Sequence, residues 1–179
     1  MKDREQQKRQ LKYLTVSAML SALGVILLGL GSLVEVLDLT FAVITSLLVV
    51  YAVIEMGHAY PWLIWLVTSI LSVLLLAQKT PALFYGLFAG FYPILKEKIE
   101  RLPRLFSFLL KTAVFHVCLA AIFVLLKLFF PASLEEYSKP WMLALLWGLA
   151  FFTFWVYDYA LSRIITLYLL RFQNRFRIR

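Results

Sequence analysis

The chain holds a single cysteine among 179 residues, Cys118, and it sits inside an apolar run. A lone thiol excludes a disulfide framework or a cysteine metal site within the chain, and its apolar setting predicts a buried, inert side chain. Charge is scarce too, at 16% of residues, and it leans one way: 18 Lys and Arg against 10 Asp and Glu, for a net charge of +8. No Gly-rich phosphate loop and no ATPase signature occurs, so any ATP-driven cycle would draw its energy from another chain. No nucleophile with a base, no acid pair and no histidine pair falls at bilayer depth, so the expectation is a protein that is not an enzyme and has no cofactor. Glu55 and His58 share one tight turn, but two ligands are too few for a metal ion, and a hydrogen-bonded turn is expected there.

What fills the chain instead is apolar surface. Hydrophobic residues make up 63% and aromatic residues 16%, more than one soluble core of this length could bury. The expectation is an all-α integral membrane protein. Apolar runs continue to the far end, so the first run is expected to stay rather than be cleaved as a leader. A helix needs about 20 mostly apolar residues to cross the hydrocarbon. The gaps between charges predict a bundle of six transmembrane helices: Tyr13–Leu30, Phe41–Met56, Ala59–Ala77, Pro81–Leu95, Leu105–Leu126 and Trp141–Leu161. The second and fourth are short and call for tilt, thinning or residues borrowed from their flanks. One membrane domain over 1–179 is expected, with a basic segment at 1–12, the bundle at 13–170 and a basic tail at 171–179.

The cations fix a direction. Lys2, Arg4, Lys8, Arg9 and Lys12 precede the first span, Lys96, Lys98, Arg101 and Arg104 follow the fourth, and Arg163, Arg171, Arg175, Arg177 and Arg179 end the chain. The opposite connections hold only Lys79, Lys127 and Lys139, so both termini are expected in the cytoplasm. Because the cations flank apolar spans and do not line a soluble face, the expected partner is anionic lipid of the inner leaflet and not nucleic acid. The last run, Trp141 to Leu170, would be about 45 Å long as one helix, more than the hydrocarbon thickness. Its basic end, "RFQNRFRIR", is expected along the membrane surface or on a cytoplasmic partner.

Two stripes of small residues stand out. On the first span Ala18 and Ala22 share a face with Gly29, while Ser17 and Ser21 share the neighbouring one. Small side chains let helices approach closely, which matters in lipid because no hydrophobic drive holds them together. The spacing leaves open whether the filling helix belongs to this chain or to a partner. On the fourth span Ala82, Gly86 and Gly90 recur every four residues, and intramolecular packing is the expected use. Pro93 should kink that span near its end. The run beyond it pairs Glu97 with Arg101 at i,i+4 and reads as a solvated helix end, or else as a docking surface.

Ionisable groups at bilayer depth are costly and often functional. His116 falls about 17 Å along the fifth span, near mid-membrane, and is expected to be neutral and hydrogen-bonded to a neighbouring helix. Lys111 lies nearer the end and can snorkel. Asp158 and Arg163 are five apart and do not share a face, so Asp158 is expected to meet water or a cation from another helix.

In size, span number, terminal placement and the "SAMLSA" of its first helix, the chain resembles the S component of energy-coupling factor (ECF) vitamin transporters of the bacterial cytoplasmic membrane. That resemblance implies that Ala18 and Ala22 dock onto a transmembrane T component, with two ABC ATPase subunits supplying the energy. It also implies a small-molecule substrate near the outer face, where Glu35, Asp38, Gln78, Lys79, Tyr85 and Trp141 fall. Two acids and a lysine could grip a small polar solute there, with aromatic rings as walls. Taken as residues alone, the same charges read equally as solvated loop groups and the aromatics as interfacial anchors. MreD-like cell-envelope scaffolds have a similar small multi-span layout, and a solitary facilitator is a third reading.

Overall fold

A computed structural model describes residues 2–34, 37–57, 59–129 and 140–171, and these are helical with no strand among them. In chain order the elements are α1 (Lys2–Leu33), α2 (Asp38–Met56), α3 (Ala59–Leu75), α4 (Thr80–Phe84), a π-helical turn (Tyr85–Ala89), α5 (Tyr92–Ile99), α6 (Arg104–Phe129) and α7 (Pro140–Arg171). Each expected span falls on helix, and the fourth is broken into three pieces. Helices α1, α2, α6 and α7 are long and apolar enough to cross a membrane, and α3 is a shorter apolar helix of 17 residues. The protein is a membrane protein with transmembrane helices. Short α2 gains length by taking in Asp38, Leu39 and Thr40 from its flank, to reach 19 residues.

Proline and glycine punctuate the chain as backbone chemistry requires. Proline lacks an N–H and fits only the first turn of a helix. Accordingly Pro61 lies in the first turn of α3, Pro81 and Pro93 begin α4 and α5, Pro103 precedes α6 and Pro140 opens α7. Gly57 ends α2 at φ 83°, a left-handed conformation that a side chain would disfavour.

The chain forms two compact units, Met1–Arg104 and Leu105–Arg179. In the first, cross-helix contacts set the register. Gly31 lies against Phe41, Gly24 against Thr45, and Ser17 donates a 3.7 Å hydrogen bond to the Met56 sulfur, so α1 and α2 run antiparallel. Tyr13 meets Tyr60 edge-on at 5.3 Å and Gly24 meets Thr68, so α1 and α3 run parallel. Trp65 donates its indole N–H to the Gly86 carbonyl at 3.0 Å, which orders the broken fourth segment antiparallel to α3.

The inward face of α1 is Ser17, Ser21, Gly24, Leu28 and Gly31, all buried at alternating four- and three-residue steps. Its outward residues include Met19, Leu23, Ile26 and Leu30, all exposed. Small and polar side chains inside with large apolar ones outside invert the pattern of a soluble bundle. In hydrocarbon that inversion is favourable, because close backbone approach and hydrogen bonds hold the helices there.

In the second unit α6 and α7 pair through large side chains. Phe108 stacks on Trp155 at 4.9 Å, Phe115 on Phe154 at 4.8 Å, and His116 lies 6.0 Å from Trp147. Rising numbers on α6 meet generally falling numbers on α7, the signature of an antiparallel pair.

A Cβ at Gly24 would sit 3.0 Å from the Thr68 methyl and 3.2 Å from that of Thr45, whereas one at Gly29 meets nothing within 4 Å. Gly24→Leu is therefore expected to destabilise the fold by about 2 kcal/mol or more through overpacking. Gly29→Leu should leave the melting temperature in detergent unchanged, so melting the two variants side by side tests the register.

Candidate functional site

One end of the first unit gathers the connection between α1 and α2 and that between α3 and α4, because α2 runs antiparallel to its neighbours. Asp38 stands in the first turn of α2 at this end and is buried. The positive end of the helix dipole favours a carboxylate at that position. Gln78 is half-buried. Lys79 turns back on α3, and its ammonium donates to the carbonyls of Val73, at 2.7 Å, and Leu76. It thereby satisfies carbonyls that the helix end leaves without partners. Glu35 lies outside the described residues.

Beneath this end the interior is polar. Ser and Thr in these helices commonly donate to the carbonyl one turn back, as Thr45 does to Phe41 at 2.7 Å and Ser69 to Trp65 at 2.7 Å. Thr68 and Ser72 do not. They lie one turn apart on the buried face of α3, each 0% exposed, and their hydroxyl oxygens have no hydrogen-bond partner among the described residues. Thr68 sits at the three-helix crossing with Gly24 and Thr45, and Ser72 lies one turn closer to the Asp38 end. A buried hydroxyl without a partner costs about 1–3 kcal/mol, and an apolar residue of the same size would avoid that cost. Neither residue stands out in the sequence, where each reads as an ordinary back-bonded hydroxyl.

The fourth segment borders this interior. Its small stripe packs inside the unit as expected: Ala82 is buried, Gly86 faces Ser69, and a Cβ at Gly90 would come within 2.5 Å of the Trp65 ring. Pro93 has no N–H to offer the helix ladder, and the segment breaks just before it at Gly90 and Phe91. Upstream the ladder slips to a π turn, with the Gly90 N–H reaching the Tyr85 carbonyl at 2.7 Å. Tyr85 is fully buried in this turn. Lys96 brings a correction. Expected on a solvated helix end, it is 1% exposed, because it shares the inward face of α5 with Tyr92 and Ile99. Its ammonium meets Glu100 at 3.0 Å, and Arg101 meets Glu97 at 2.6 Å as the spacing predicts.

Ala18 and Ala22 are exposed on the outward side of α1, and Gly29 continues that open face. The neighbouring stripe that begins with Ser17 and Ser21 is the one used within the unit.

The second unit holds the remaining candidates. Asp158 pairs with Lys111 at 2.9 Å, both buried, so the cation comes from another helix, and Lys111 turns inward instead of snorkelling. Stacked rings stand beside the ions: on α6 Phe108 and Phe115 lie one turn to either side of Lys111, while on α7 their partners Trp155 and Phe154 both precede Asp158 by about one turn. His116 is exposed, and its Nδ1 lies 2.8 Å from the Thr112 carbonyl, so its hydrogen bond goes to its own helix and not to a neighbour. Since a carbonyl only accepts, Nδ1 carries a proton. Trp141 is exposed at the start of α7. Cys118 is buried, as its apolar run predicts. Among the described residues no group of three or more His, Cys, Asp or Glu could hold a metal ion, and His58 lies outside them.

Comparison with protein-family models, with characterised proteins and with solved structures finds no match to this chain.

Two measurements test these assignments. Thr68→Val and Ser72→Ala are each expected to raise stability by about 1 kcal/mol in the empty protein, since each removes an unpaired buried hydroxyl; a drop in melting temperature would show that the hydroxyls hold partners. Lys111→Met or Asp158→Leu alone should cost about 3–5 kcal/mol by stranding a buried charge, while the double variant should melt within about 1 kcal/mol of the parent. Equal losses in all three would argue against a direct pair.

Proposed function

We propose that the chain is a six-span, substrate-capture subunit of the ECF type in a bacterial cytoplasmic membrane, with both termini in the cytoplasm. It takes a small polar solute from the outer face and docks through α1 onto a T component served by two ATPases. The observation that carries this reading is the outward position of Ala18 and Ala22. The inner face of α1 is already filled by α2 and α3, so this second smooth face is left over for a helix from elsewhere. In lipid such a face gains close contact only from another helix.

Two features support a solute site in the same unit. The hydroxyls of Thr68 and Ser72 offer hydrogen bonds at a depth where water is scarce. The adjacent fourth segment is interrupted by a π turn, a deviation that recurs at functional sites and in the discontinuous helices of transporters. Asp38 and Gln78 at the nearby end are the polar groups a solute would meet on entry, and Lys79 serves α3 as a cap.

The test is mild purification of a tagged copy from its own membrane, with mass spectrometry of the copurifying chains. A T component with its ATPases is expected with the parent and is expected to be lost, by tenfold or more, in Ala18→Leu/Ala22→Leu. The variant should keep the parent's melting temperature because those positions face outward. Unchanged assembly, or recovery of cell-envelope scaffold proteins in place of ATPases, would overturn the reading.

A further inference from the structure

Helix α1 is longer than the unit it belongs to. The Ser17 contact to Met56 and the Tyr13 contact to Tyr60 mark the level at which the turn between α2 and α3 closes the unit. Below that level α1 continues as helix to Lys2, and every side chain from Arg4 to Lys12 is exposed. Arg4, Lys8 and Lys12 recur every four residues and form one basic stripe, with Arg9 one turn from Lys12. Glu5 stands one turn before Lys8 and Arg9 and offsets part of the repulsion among these like charges, so the stripe remains helical with a net positive charge. Lys98, Arg101 and Arg104 are exposed at the same end of the unit, beyond α5. Helix α2 packs against both α1 and α5, so cations stand on two sides of its end and form a collar rather than a one-sided patch.

The level of the collar identifies its counterpart. Tyr13, Tyr60 and Trp62 lie just inside it, and such amphipathic rings settle at the boundary between hydrocarbon and headgroups. At 1.5 Å per residue, Lys12, Arg9 and Lys8 fall within about 8 Å beyond Tyr13, inside the headgroup layer, whereas Arg4 falls about 13 Å away and clears it. We propose that Lys8, Arg9 and Lys12, together with Lys98, bind the phosphates of anionic phospholipids in the leaflet at this end of the first unit. An acidic soluble protein would be met by the part of the stripe that clears the headgroups, where Arg4 alone has a described cationic side chain. The inference is independent of solute capture and of any T component.

The test uses the full chain in mild detergent, melted with phosphatidylglycerol, phosphatidylcholine or inorganic phosphate added in turn, and assayed for copurifying phospholipid. Phosphatidylglycerol is expected to raise the melting temperature and to be enriched among copurifying lipids, while the other two have little effect. In K8Q/R9Q/K12Q the melting temperature without added lipid should match the parent, and the response to phosphatidylglycerol should fall several-fold. R4Q should keep the full response. An undiminished response in the triple variant, an equal response to phosphatidylcholine, or loss of the response in R4Q alone would overturn the assignment. So would an acidic protein that binds the parent but not the triple variant while phosphatidylglycerol has no effect.

Discussion

The crossing of three helices at Gly24, Thr45 and Thr68 is the constraint on which the first unit depends. Without a hydrophobic drive between helices in lipid, their association rests on how closely backbones approach and on the hydrogen bonds that approach permits. Gly24 supplies the missing side chain, and the methyls of Thr45 and Thr68 fill the space to within contact distance. Much follows from that one point. The buried series from Ser17 to Gly31 is the face of α1 that reaches it, and the face bearing Ala18 and Ala22 is what remains outside. The antiparallel course of α2 then brings Asp38 and the connection before α4 to the same end.

The second unit solves the same problem differently. Its helices meet through Phe108, Phe115, Phe154 and Trp155, and the ion pair of Lys111 with Asp158 lies among the rings. Stacked rings give large contact area at a wider helix separation, and the ion pair resists sliding because either charge alone would be stranded in an apolar setting. One unit is held by closeness, the other by bulk and charge.

The helices were legible in the sequence because membrane spans are written as gaps between charges, and the prolines already marked where most of them start. The side chains were less so. Two small faces on α1 could be listed from spacing, but which one the chain uses for itself depends on partners that the spacing does not name. Lys96 was hidden by its neighbours Glu97 and Lys98, although its step from Tyr92 and to Ile99 places it on the apolar side of α5. Lys111 could reach either the interface or Asp158, and only the packing of α6 on α7 decides. Thr68 and Ser72 carried no signal, since a threonine that declines its local carbonyl looks the same in sequence as one that accepts it. The burial of Tyr85 carried no signal either, since the π turn that holds it is not written in the residues around it.

The π turn at Tyr85–Ala89 has one more implication. A turn that holds an extra residue advances the phase of everything after it, so α4 and α5 are not two halves of one cylinder. Helix α4 sits among α1, α2 and α3, while α5 packs mainly on α2. The segment thus behaves as two short rods keyed to different neighbours, with the phase step and the proline as the joint. Deleting one residue within the turn would shorten the chain by less than 2 Å yet rotate α5 by about 100°, a little more than a quarter circle, which would carry the Lys96 ammonium out of its burial and bring another side chain in. At this position sequence length encodes direction.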